Sequence, residues 1–248
     1  MRLYLIRHPA PVLPPTVCYG ASDITVAPEE LERVLATLTV SDSGDAVTRT
    51  TIAASGSTAP GADPAIETRA LDHMETRRIS LTPGTNHVQA RGISLVPDRS
   101  VLRARLPAGL PLYSSPLQRC RCLAEPLAAA LGATSLTFDE RLVEMNFGDW
   151  ELKSWDEIAR SEIDAWTADL IAYRPGAGET VLEMTHRVQA FHTQILAARQ
   201  DAIVVCHAGT IRMLLACQRY DSPQDIALHA ASTTMKLAYG EPVVMECV

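Results

Sequence analysis

The chain has 248 residues, 47% of them hydrophobic, which suits one large or two small domains with a sizeable core. A formal net charge of −7 weighs against general electrostatic binding to nucleic acid or anionic membrane, so any anion site must be a local concentration of positive charge. Arginine carries nearly all of that charge, since Lys153 and Lys236 are the only lysines. No run is apolar enough over sufficient length to span a bilayer. The N-terminus enters an apolar run at once with no signal-peptide pattern, so a cytoplasmic location is expected. Cys18, Cys120, Cys122, Cys206, Cys217 and Cys247 are scattered through core-like segments, which fits reduced thiols better than a disulfide framework. Cys120-x-Cys122 with the distant Cys206-His207 matches no common zinc spacing and reads as core packing.

In chain order, residues 2–6 read as a short buried strand ending on Arg7-His8. Pro9 to Pro15 is a proline-rich loop. A helix is predicted from Pro28 to about Leu38, with Leu31, Val34, Leu35 and Leu38 on one face. The stretch 39–105 contains no Phe, Trp, Tyr, Cys or Lys and shows no sustained apolar period; it reads as a low-order, chemically passive insertion with a short helix near Ala65–Arg78. Leu112-Tyr113 is a strand. Ser115 is expected to cap a helix running through Leu123, Leu127 and Leu131 to Gly132. Ser135–Phe138 is a further strand. Capping boxes at Ser154 and Thr180 open two more helices, the first carrying Trp155, Ile158 and Trp166 and the second running to about Ala198. Ala202–Cys206 is an uninterrupted apolar run, as in a strand buried on both faces. His207-Ala208-Gly209 ends it, and a helix follows through Leu214 and Leu215. Strands at Met235–Tyr239 and Val243–Val248 complete the pattern. Strands alternating with helices predict an α/β fold, a three-layer α/β/α sandwich on a mostly parallel sheet, in a single domain 1–248 interrupted by the insertion.

Two histidines, His8 and His207, terminate two of the predicted strands, and open α/β sheets bind ligands outside the carboxyl ends of their strands. If those strands are parallel neighbours, both imidazoles emerge on one edge. Arg119 lies in the first turn of the helix near Ser115, and Ala208 and Gly209 set backbone N–H groups at another helix start, where anions are favoured. Arg7 and Arg119 offer planar forks suited to phosphate. Taken singly, each has a plainer reading: Arg119 as a surface charge, His207 as a capped strand end. Glu144, Asp149 and Glu151 supply carboxylates in an apolar setting, where burial favours the protonated form a leaving group needs; any one of them could equally be a cap or an ion-pair partner.

These stretches in order, Leu5-Ile6-Arg7-His8, Ser114 through Arg119, Leu142-x-Glu144-x-x-Phe147-Gly148-x-Trp150-Glu151, Gly178-Glu179-Thr180 and Val205 through Gly209, resemble the histidine phosphatase, or phosphoglycerate mutase-like, superfamily. The block Glu144–Glu151 and the loop Tyr19-Gly20-x-x-Asp23 are most similar to its α-ribazole phosphatase-like branch. The resemblance implies that His8 is a nucleophile forming a phosphohistidine and that Arg7, Arg119 and His207 hold the phosphoryl oxygens. It also implies that Ala208, Gly209 and Tyr19 contribute to substrate binding and that Glu144 protonates the leaving alcohol and then activates water. No metal or nucleotide cofactor is expected. The expected partner is a small phosphorylated substrate, with no nucleic acid or membrane, and the protein is expected as a monomer or homodimer. A broad-specificity phosphatase, a mutase-like phosphotransferase and an inactive phosphate-ligand-binding protein are the alternatives. The chain departs from the family pattern at Pro9, where Gly follows Arg-His, and at Leu152, where Gly is frequent.

Overall fold

A computed structural model describes residues 1–39 and 106–247. The strands are β1 (Arg2–Arg7), β2 (Leu112–Ser114), β3 (Leu136–Phe138), β4 (Ala202–Cys206) and β5 (Pro242–Glu246). The helices are α1 (Pro28–Thr39), α2 (Gln118–Ala130), α3 (Arg160–Ala168), α4 (Val181–Ala197), α5 (Ala208–Cys217) and α6 (Pro223–Ser232). Among the described residues the strands form one sheet in the order β3-β2-β4-β1-β5, parallel throughout except for β5 at the edge.

The three layers follow from the two-residue period of the central strands. Tyr4 and Ile6 of β1, with Ile203 and Val205 of β4, pack against Val34 and Leu38 of α1 and Leu123 and Leu127 of α2. Leu3 and Leu5, with Val204 and Cys206, pack on the other side against Val188 and Phe191 of α4, Ile211 of α5 and Ile226 of α6. Covering both faces buries β4 completely, as its unbroken apolar run requires. A separate cluster of Cys18, Trp150, Ile158 and Trp166 lies outside these two layers.

The parallel register places the site. Arg7 is opposite Cys206, and Ser114 is opposite Val205. The residues that follow these strands, His8, His207 and Ser115, therefore leave the sheet at one edge. The His8 amide still donates to Cys206 O at 3.0 Å, and the Ser115 amide to Val205 O at 2.9 Å.

Several expectations are corrected. Ser115 does not cap α2, which begins three residues later behind Leu117; its hydroxyl faces His207 instead. The Ser154 capping box exists but closes a single 3-10 turn, Trp155–Glu157, and α3 starts afresh at Arg160. Met235–Tyr239 is not a strand: it runs over the end of the sheet as an irregular strap, held by Leu237 O and Gly240 N on Arg7. Helix α6 was not expected, although Ser222-Pro223-x-Asp225 carries a cap and a proline at the first turn. Apart from Thr39, which closes α1, the expected insertion and its short helix lie outside the described residues. Among the described residues no helix is long and apolar enough to cross a membrane.

The departure at Leu152 has a structural cost. Its φ is 65°, in the left-handed region that glycine enters without strain, and its side chain is 58% exposed, so little burial compensates. Leu152→Gly is expected to raise unfolding stability by about 0.5–1 kcal/mol, read from urea denaturation; a loss of stability would show that the leucine is favoured by a contact that outweighs the strain.

Candidate active site

His8 is 2% exposed and its ring is fixed by one bond, from Nδ1 to the carbonyl of Pro9 at 2.7 Å. A carbonyl can only accept, so Nδ1 carries the proton and Nε2 keeps its lone pair. Pro9 lacks an N–H, yet the group it supplies here is its carbonyl, on a backbone whose φ the ring restricts. Burial first, and then the charges of Arg119 and Arg7, hold the His8 imidazole well below its ordinary pKa, so it is neutral at neutral pH.

Arg7 is gripped by the strap. Its Nη1 donates to Leu237 O at 2.8 Å, and its guanidinium carbon lies 3.6 Å from the centre of the Tyr239 ring. Tyr239 also stands 5.5 Å from the His8 ring and shares a 3.0 Å hydroxyl–hydroxyl hydrogen bond with Tyr19. Arg119 is completely buried in the first turn of α2, with Nη1 on Ser22 O at 2.7 Å and Nη2 on Gly20 O, while its Nε has no hydrogen-bond partner. Its guanidinium lies 5.3 Å from the Tyr19 ring.

The loop that Arg119 holds is also fastened from the opposite side. The Glu151 carboxylate accepts from the amides of Gly20, Ala21, Ser22 and Phe147 and from the Ser22 hydroxyl. Asp23 Oδ1 accepts from the Gln118 amide at the start of α2, taking the capping place left by Ser115. Of the three candidate carboxylates, Glu151 is thus committed to the loop and Asp149 is exposed. Glu144 alone of the three borders the cavity that contains His8.

Glu144 is set by backbone amides, with Oε2 accepting from Gly209 at 2.9 Å and Oε1 from Met145 at 3.1 Å. A Cβ on residue 209 would come within 2.3 Å of Glu144 Oε1, so glycine is required there for the carboxylate to sit on the start of α5. The backbone of the Glu144 segment is held by Arg187 of α4, which donates to the carbonyls of Arg141, Val143 and Glu144 and pairs with Glu179 at 2.7 Å.

Arg7, His8, Tyr19, Arg119, Glu144, Ala208 and Gly209, all named from the sequence, border one cavity of about 550 Å³. His207 lies behind them: it is completely buried, its ring centre is 5.1 Å from that of His8, and Nε2 bonds Ser115 Oγ at 2.9 Å. Burial and the charge of Arg119 depress its pKa as well. Cys120 Sγ lies 3.5 Å from His207 Nε2, and burial pushes its thiol up, so it remains a neutral thiol as its core-packing reading requires. The sequence reading missed Tyr239 and Arg187. Tyr239 sat inside a supposed strand, and the one signal for Arg187 was a charge beside the buried stripe Val181, Met184 and Val188 of α4.

A mostly parallel α/β sheet with a neutral histidine and two arginines at its carboxyl edge, faced by the Glu144 carboxylate, defines a phosphoryl-transfer class of site. The chain belongs to the histidine phosphatase superfamily (branch 1), which matches residues 100–242; that range includes Arg119, Glu144 and His207 and leaves out Arg7 and His8. "Putative phosphoserine phosphatase 2" of Hydrogenobacter thermophilus is 30% identical over 108 residues, 42% of this chain and 53% of that protein. A bifunctional protein of Mycobacterium tuberculosis is 35% identical over 109 residues, 42% of this chain and 29% of that protein. The chain therefore spans about half, or less, of the length of these curated relatives. The fold is similar to that of α-ribazole phosphatase from Shigella flexneri, with a TM-score of 0.61 at 16% identity over 99% of this chain and 90% of that one. It is also similar to a mycobacterial glucosyl-3-phosphoglycerate phosphatase, with a TM-score of 0.55 at 17% identity over 92% and 83%.

The depressed histidines make stability depend on pH. Unfolded, His8 and His207 titrate near about 6.5, whereas folded they stay neutral well below that. Below about pH 6.5 the unfolded chain binds more protons, so stability is full above that value and falls as the pH drops, by up to about 1.4 kcal/mol per pH unit for each imidazole. Denaturant unfolding at pH 7.5 and 5.5 should show this loss before the carboxylates titrate; equal stability at the two values would contradict neutral buried histidines.

Proposed function

We propose that this protein is a phosphomonoesterase that works through a phosphohistidine on His8 and acts on a small phosphorylated metabolite. As the specific substrate we propose α-ribazole 5′-phosphate, used in assembling the nucleotide loop of cobalamin. The observation that carries the reading is the 2.7 Å bond from His8 Nδ1 to Pro9 O, which leaves Nε2 unprotonated beside the half-buried Arg7 and the buried Arg119. The specific substrate is supported by the two stretches that carry the finer resemblance, Tyr19–Asp23 and Glu144–Glu151, which Glu151 ties together into one side of the cavity.

In the first step His8 Nε2 attacks phosphorus, a P–N bond forms, the ester P–O bond breaks and the leaving alcohol takes a proton. Arg7 and Arg119 hold the non-bridging oxygens, where charge stabilisation supplies most of the catalysis of phosphoryl transfer. Glu144, across the cavity on the Gly209 amide, gives the proton to the leaving oxygen. In the second step water attacks phosphorus, Glu144 takes its proton, the P–N bond breaks and inorganic phosphate leaves. His207, which the resemblance makes a phosphoryl-oxygen ligand, stands behind the His8 ring with its Nε2 on Ser115 Oγ and backs that ring at the strand ends. Phosphorylated His8 keeps its Nδ1–H on Pro9 O throughout, so no proton need leave the nucleophile.

Hydrolysis of p-nitrophenyl phosphate without added metal tests the proposal. Wild type should turn over, and His8→Ala should lose about a thousandfold or more in kcat. Equal rates in the two proteins would end the phosphohistidine reading.

A further inference from the structure

Only 5% of the chain is aromatic, and it has three tryptophans. All three, Trp150, Trp155 and Trp166, fall in the small cluster outside the two main core layers. Their rings and that of Phe147 meet edge to face: Phe147 and Trp155 at 6.4 Å, Phe147 and Trp166 at 5.9 Å, Trp150 and Trp166 at 5.7 Å. Trp150 is pinned by its indole N–H to Glu162 at 2.6 Å. A core satellite of this kind needs no aromatic surface facing outward, yet Phe147, Trp155 and Trp166 border the cavity that holds His8. Val17, Leu170 and Met184 continue the same apolar lining.

Two chemistries therefore share one cavity. The polar groups already described surround the phosphoryl end, while the aromatic wall offers rigid π surface with little conformational entropy left to lose. About 550 Å³ lies within the roughly 300–1,000 Å³ range of pockets that bury a drug-sized ligand, far more than a phosphoryl group fills. A small polar alcohol such as serine would leave the wall wet. An apolar planar group would displace that water and stack against Trp155, whose ring is the partly exposed member of the tryptophan set.

We infer that the wall of Phe147, Trp155 and Trp166 is a leaving-group subsite that selects phosphate monoesters whose alcohol carries a planar, apolar ring system. The inference rests on the phosphomonoesterase reading and adds to it the residues that set specificity. Trp155 is the specificity-determining residue: it touches neither the phosphoryl groups nor Glu144 in the described contacts, and its backbone is held independently through its amide on Thr16 O at 2.9 Å.

The test compares 2-(1-naphthyl)ethyl phosphate with ethyl phosphate and O-phosphoserine, alkyl esters for which the chemical step is similar. Wild type should favour the naphthyl ester by about tenfold or more in kcat/KM, the factor expected for burying one aromatic group. Trp155→Ala should remove most of that preference through KM and leave ethyl phosphate within about twofold, and Trp155→Phe should restore much of it. Equal loss on all three esters, or a wild-type preference for O-phosphoserine, would overturn the subsite. If wild type hydrolyses no ester, the phosphomonoesterase reading fails by itself, and calorimetry still decides the subsite. The naphthyl ester should then bind His8→Ala about tenfold more tightly than ethyl phosphate does, with the difference lost in His8→Ala/Trp155→Ala; equal affinities would overturn it.

Discussion

The bond from His8 Nδ1 to the carbonyl of Pro9 is the constraint on which the site depends. Two guanidinium groups beside an imidazole would serve phosphate binding whatever its tautomer, but a nucleophile needs its lone pair on the nitrogen that faces phosphorus. Burial and the neighbouring arginines remove the imidazolium from contention, and the carbonyl then chooses between the two neutral tautomers. Proline after the histidine keeps this acceptor intact. The departure from glycine removes an N–H and leaves the decisive group of the residue, its carbonyl, unchanged.

Two arginines of an acidic chain border the cavity that holds His8. Their contacts include carbonyls and tyrosine rings: Leu237 O and Tyr239 for Arg7, Gly20 O, Ser22 O and Tyr19 for Arg119. Carbonyl dipoles and ring faces fix the plane of a guanidinium. Further from His8, the Glu151 carboxylate binds the loop amides and Glu179 binds Arg187, so both position backbone segments.

The sheet and its ends were legible because burial on both faces writes an unmistakable pattern. Ala202–Cys206 admits no reading but a central strand, and the capping box at Thr180 marks the start of α4 to the residue. Arg7, His8, Arg119 and Glu144 were legible for a related reason, as charged residues at strand ends, a helix start and an apolar turn. The misreadings fall where local pattern and tertiary role part company. Ser115 looks like a helix cap, but the neighbouring strand end places His207 beside its hydroxyl and Asp23 takes the cap from another loop. Met235–Tyr239 alternates like a strand, yet it crosses the sheet edge because Arg7 binds it. Tyr239 and Arg187 act through tertiary contacts with residues far away in sequence, which no local window contains.

The direct measurement is of the His8 imidazole itself. In ¹⁵N-labelled protein, long-range proton–nitrogen correlation between pH 5.5 and 8 distinguishes the two neutral tautomers and the imidazolium. The predicted result is a single neutral form protonated on Nδ1 across the whole range. An imidazolium at pH 6, or a proton on Nε2, would contradict the account, because in either form Nε2 lacks the lone pair that the proposed attack on phosphorus uses.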